Sequence, residues 1–100
     1  MLYMVIATHG PETCAAVVDE AKKRALAMGP RMEEASKAHD CTIQGGWISR
    51  SNHTSYLLVE APNAHAIEDT IWDLELAHWN TVAIHPVVTV EDAMKWLAEA

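Results

Sequence analysis

The chain predicts an α+β fold with the element order β-α-β-β-α-β and a short terminal helix. Three observations predict it. Four short apolar runs of strand length are each closed by Gly, Pro or Asn punctuation. Two longer segments between them repeat apolar residues at spacings of three and four. The second and third strand runs are separated only by the polar stretch Ser51-Asn52-His53-Thr54, which makes them a hairpin.

Leu2 to Thr8 is apolar and β-rich, and Gly10-Pro11 ends it, so it reads as a buried central strand. Pro11 suits the first turn of a helix, and Glu12 is favourably placed against the helix dipole. Cys14, Val18, Ala21, Ala25 and Met28 then line one face of that helix, with Asp19, Lys22 and Lys23 opposite. Gly29-Pro30 interrupts it, since Pro30 lacks a donor and biases Gly29 away from helix. Arg31 to His39 resumes the pattern, with Met32, Ala35 and Ala38 or His39 inward. Cys41 to Arg50 is the second strand, and its paired Gly45-Gly46 marks a bulge or a close backbone approach. Ser55 to Ala61 is the third strand, apolar enough for cover on both faces along much of its length.

Pro62-Asn63 stops that strand, with Asn63 as N-cap of a helix over Ala64 to Trp79. Ile67, Ile71, Leu74 and His78 form one stripe of that helix, and Trp72, Leu76 and Trp79 a flanking one. Asn80 closes its C-terminus in the left-handed region. Thr81 to Val88 is the fourth strand, and Pro86 places it at a sheet edge or marks its end. Thr89-Val90-Glu91-Asp92 matches a capping box that opens the last helix, whose apolar residues are Ala93, Met94, Trp96 and Leu97. This order is the split βαβ, or ferredoxin-like, arrangement, with strand order 4-1-3-2 and both long helices on one sheet face.

Composition bounds the function. One hundred residues make a single domain over 1–100. Half of them are apolar and 21% are charged, which argues against intrinsic disorder. The net charge of -7 argues against a nucleic-acid or anionic-membrane surface. No apolar run reaches the roughly 20 residues of a membrane span. The N-terminus has no basic stretch and no small-residue cleavage site, so a cytoplasmic location is expected. Cys14 and Cys41 form no CxxC, so no structural zinc site is expected and reduced thiols are. Cys14, among alanines and valine, reads as a small buried hydrophobe. The six histidines form neither HxH nor HExxH, so any metal site must be assembled by the fold.

Two helices cover one sheet face, and nothing in the chain remains to cover the other. Yet the first strand is apolar on both parities: Leu2, Met4 and Ile6 against Tyr3, Val5 and Ala7. An uncovered apolar face of that size marks an interface, and a second copy is the simplest cover.

The opening MLYMVI, Gly46-Trp47, Leu58-Val59-Glu60-Ala61 before a loop and helix, Trp79 near that helix's end, and Pro86-Val87-Val88 carry a resemblance. Through these packing residues, which span most of the chain, the sequence resembles the dimeric α/β-barrel superfamily. Within it, the sequence is similar to a group of small, uncharacterised bacterial domains. The resemblance implies a homodimer, or a higher oligomer of dimers, around an internal cavity. It leaves the chemistry open, because that superfamily spans haem-degrading and cofactor-free monooxygenases, isomerases and ligand-binding domains.

Strand alternation selects candidate cavity residues. The expected set is Tyr3 and His9 from strand one, Trp47 from strand two, Tyr56 and Glu60 from strand three, and His85 from strand four. Tyr3, His9, Trp47 and Tyr56 would bind a small apolar or aromatic ligand. His85 would act as base or as metal or haem ligand, with Glu60 orienting it. The plainer alternatives stand beside these. Tyr3, Trp47 and Tyr56 are residue types more often found in a core or dimer interface than in a cofactor wall, His85 serves as a backbone partner at an edge, His9 as a turn or capping residue and Glu60 as a surface acid. His39, His53 and His65 are expected to be solvated. Three functions follow: a ligand-binding domain, a small monooxygenase or isomerase for an aromatic or quinone-like substrate with haem as an option, or an oligomerisation module.

Overall fold

The computed structural model describes all 100 residues. Strands β1 (Leu2–Thr8), β2 (Thr42–Ser49), β3 (Thr54–Glu60) and β4 (Thr81–Val87) form one antiparallel sheet in the order β2-β3-β1-β4. This is the expected 4-1-3-2 order of a ferredoxin-like fold, with β4 at an edge. Pro86 pairs only with Tyr3 of β1, so its missing N–H faces no second neighbour.

The helices are α1 (Asp19–Met28), α2 (Met32–Ala38), α3 (Ala64–Asp73) and α4 (Val90–Glu99). Several boundaries differ from the periodicity. Pro11 opens only a 3-10 turn over Pro11–Thr13, because Cys14 is extended at φ -72, ψ 128 and stops the helix there. Regular helix starts at Asp19, and Ala21 is its one buried residue. Gly29 stays helical at φ -48, ψ -55, so Gly29–Arg31 is a tight 3-10 joint between α1 and α2. α3 ends at Asp73, six residues before the expected end, because Glu75 takes the left-handed conformation at φ 60. The chain resumes as a 3-10 turn over Leu76–His78. Asn80 is not the left-handed residue here.

The core lies between the sheet and the helix layer. Val5, Ala7, Val59, Ile67, Ile71 and Leu76 meet there, with Tyr3, Cys41 and Ala61. Arg31 and His39 both reach the Asp73 carboxylate, at 3.1 and 3.3 Å, and tie the α2 end of the layer to α3. These pairs are exposed and contribute little energy.

Both predicted N-caps form. Asn63 Oδ1 accepts the Ala66 N–H at 2.9 Å, and Thr89 Oγ1 accepts the Asp92 N–H at 3.0 Å. Replacing Asn63 by Ala should cost about 1 kcal/mol of stability. Thermal melting followed by circular dichroism should then show a midpoint roughly 4–8 °C lower.

α4 is the exception to compactness. It buries no residue, although Val90, Ala93, Met94 and Leu97 share one face of it. The chain measures 52 × 31 × 17 Å, with a radius of gyration of 14.9 Å. A compact chain of this length has about 13 Å.

Candidate functional site

Strand register settles which side chains share the open sheet face. Met4 lies opposite Leu58 of β3 and His85 of β4, and Ile6 opposite Tyr56 and Ala83. Leu2 lies opposite Glu60 and Val87. These pairs alternate with Tyr3, Val5 and Ala7, which are buried against the helices. The open face is therefore apolar at its centre, with Glu60 and His85 toward one end.

Four expected site residues take the predicted side. Trp47 pairs with Tyr56 in the β2–β3 ladder, so both rings belong to the open face together with Glu60 and His85. The register break falls between Ile43 and Gly45, ahead of the glycine pair, and this sets the side of Trp47. The indole leans back over Gly45: a Cβ there would lie 2.8 Å from the ring's Cη2. Glycine at this position is what lets the ring lie close to the sheet. Trp47 is nonetheless 58% exposed in the single chain.

Tyr3 and His9 go to the other side. Tyr3 is 4% exposed within the core cluster under α3. Both parities of β1 are apolar, so alternation could not choose between them. The small Val5 and Ala7 fit beneath the helices, and Tyr3 follows their parity. His9 continues that parity beyond the strand, and its ring lies 5.3 Å from that of Trp79 and 5.4 Å from that of His53. His53, expected to be solvated at the hairpin tip, is folded back on His9 instead.

Glu60 does not orient His85. Its carboxylate takes the Met1 ammonium at 2.7 Å. The two residues stand on β3 and β4, with β1 between them, so the interstrand separation alone is about 10 Å. His85 is exposed.

A cleft of about 270 Å³ is lined by Met1, Leu2, Pro86, Val87 and Val88. It lies where the start of β1 meets the end of β4 and the chain departs into α4. A second void, about 20 Å³, lies in the core between Val5, Ser36, Cys41 and Ile71. It has room for about one water at most. One chain alone does not enclose a drug-sized ligand, for which about 300–1,000 Å³ is usual.

No helix is long and apolar enough to cross a membrane. No curated protein matches the sequence. The family model described as "Domain of unknown function (DUF3303)" matches residues 1–100, and the chain belongs to that family.

Proposed function

We propose that the protein is a homodimer whose two sheets close face to face around a cavity for a small, largely apolar ligand. The observation that carries this reading is the apolar sheet face opposite the core: Leu2, Met4, Ile6, Tyr56 and Leu58 side by side, each left only half-buried by its own chain. Surface area supports it. The chain exposes 6633 Å², whereas a compact monomer of its 11.0 kDa exposes about 5,600 Å². The excess of about 1,000 Å² per chain exceeds the ~800 Å² per partner of a standard interface. α4 adds to it, because its apolar face is free to clasp the partner copy.

In that assembly Trp47 and Tyr56 line the wall. His85 supplies the polar group that orients a ligand, since it is the imidazole on an otherwise largely apolar face. Glu60 stays at the rim on the Met1 ammonium.

Light scattering at micromolar concentration should give twice the 11.0 kDa chain mass. A monomer there overturns the proposal. The anionic aromatic dye 1-anilinonaphthalene-8-sulfonate should bind the dimer with saturation through its apolar rings, and Trp47→Ala should weaken that binding while the dimer persists. A dimer that binds no dye leaves an oligomerisation module and removes the cavity. Absorption of the purified protein in the Soret region would move the reading to the haem-dependent oxygenase.

A further inference from the structure

Where β1 ends, three segments meet on the helix side of the sheet. His9 follows β1, His53 closes the turn between β2 and β3, and Cys14 follows the first 3-10 turn. Backbone bonds pin all three. The His9 N–H donates to the His53 carbonyl at 3.1 Å, and the Cys14 N–H to the Pro11 carbonyl at 3.3 Å. The Cys14 carbonyl accepts from Val17 and Val18 at 3.0 and 2.8 Å. One nitrogen from each histidine and the Cys14 sulfur lie within 4.8 Å of one another.

His9 Nε2 and His53 Nδ1 are both shut off from solvent without a hydrogen-bond partner. Each such atom costs about 1–3 kcal/mol if left unpaired. Its other nitrogen decides what His9 offers. His9 Nδ1 lies 2.9 Å from Asn80 Oδ1, and Asn80 Nδ2 donates to the Leu76 carbonyl at 3.1 Å. Asn80 Oδ1 is therefore an acceptor, Nδ1 carries the proton, and Nε2 presents a lone pair. Metal-bound histidines are held by this kind of outer partner.

We propose that His9, Cys14 and His53 form a three-ligand site for a thiophilic ion of the zinc class, with its fourth position open. Two imidazoles and one thiolate suit zinc and its neighbours and not magnesium or calcium, which take oxygen ligands. Around a tetrahedral zinc with bonds of about 2.0–2.3 Å, ligand atoms stand about 3.3–3.8 Å apart. The three side chains need to close by about 1 Å to reach that geometry, a shift that small side-chain rotations supply. On binding, a metal–sulfur bond forms and the Cys14 proton leaves to solvent. The Trp79 ring beside His9 forms one wall of the site. The site lies away from the open sheet face, so it stands or falls independently of the dimer.

Cobalt(II) titrated into the full chain is the test. One equivalent should bind per chain, with tetrahedral d–d bands and a near-ultraviolet thiolate-to-cobalt band. Cys14→Ser should remove the thiolate band. His9→Ala should abolish stoichiometric binding, as should His53→Asn, which tolerates the left-handed backbone at φ 49. Asn80→Ala should weaken affinity by about 10–100-fold. His65→Ala, at an exposed position, should change nothing. Binding without the thiolate band, or with affinity unchanged in Cys14→Ser, would show surface histidine binding only and overturn the site. Circular dichroism checks that each variant folds. Should Cys14→Ser unfold, alkylation of Cys14 in the native chain gives the answer instead: zinc(II) should slow it, and an unchanged rate overturns the proposal.

Discussion

Ile6→Asp should convert the protein from dimer to monomer at micromolar concentration while leaving the protomer folded. Ile6 sits on the central strand β1, on the open face, between Tyr56 and Ala83. Neither neighbour can pair with a carboxylate as an ion. In a twofold interface the substitution enters twice. Each buried, unpaired ion costs several kcal/mol, so two cost about 6 kcal/mol. That is roughly a 10⁴-fold loss of affinity. Aspartate is also too short to carry its charge out to water, as a lysine stem would. Met4 is a poorer position for this experiment, because an acid there would stand opposite His85. Light scattering should show the mass halve, with the far-ultraviolet spectrum nearly unchanged. A dimer that survives Ile6→Asp would place the interface elsewhere, on α4 or a sheet edge, and the cavity between sheets would go with it.

The parts of the fold that the sequence makes legible are those fixed by local chemistry. Pro86 marks the edge strand, Asn63 and Thr89 mark helix starts, and the four-residue turn marks the hairpin. Each signal acts within a few residues; the edge strand and both N-caps are found in place, and the turn falls one residue earlier than expected, with Thr54 already in β3. Interruptions that depend on packing were not legible. The left-handed Glu75 carries no glycine or asparagine signal, and the extended Cys14 sits amid residues that continue a helical period. Side assignment along β1 failed for Tyr3 for a similar reason. Alternation identifies a buried face only when the other parity is polar, and in β1 both are apolar. On β4 the same rule worked, because His85 interrupts an otherwise apolar alternation with Val82 and Ile84, which pack toward the core. The His9, Cys14 and His53 cluster has no local spacing at all. His53 is 44 positions from His9 in the chain, and only the β1–β3 register brings them together.

Ile67→Ala should be the most destabilising conservative change, and it separates folding from assembly. Ile67 is 2% exposed and belongs to the cluster that joins α3 to Val5, Val59, Ile71 and Leu76. Ile→Ala truncations in a core cost about 2–5 kcal/mol, more where the site cannot collapse. Collapse is hindered here, because Ile67 already borders the 20 Å³ void and the void would enlarge. Domains of this size hold about 5–15 kcal/mol in total. At roughly 4–8 °C per kcal/mol, the midpoint should fall by roughly 8–40 °C. Leu97→Ala on α4 is the matched control, since that residue is 55% exposed in the protomer and supports no core. If subunits hold each other folded, the melting midpoint rises with protein concentration. Ile67→Ala should lower it by a similar amount at every concentration. Ile6→Asp should abolish the concentration dependence itself, and Leu97→Ala should weaken it. A loss below about 1 kcal/mol for Ile67→Ala would fall in the range of ordinary surface or mild substitutions. It would show that the helix layer, and not the sheet's open face, is the loosely held side of this fold.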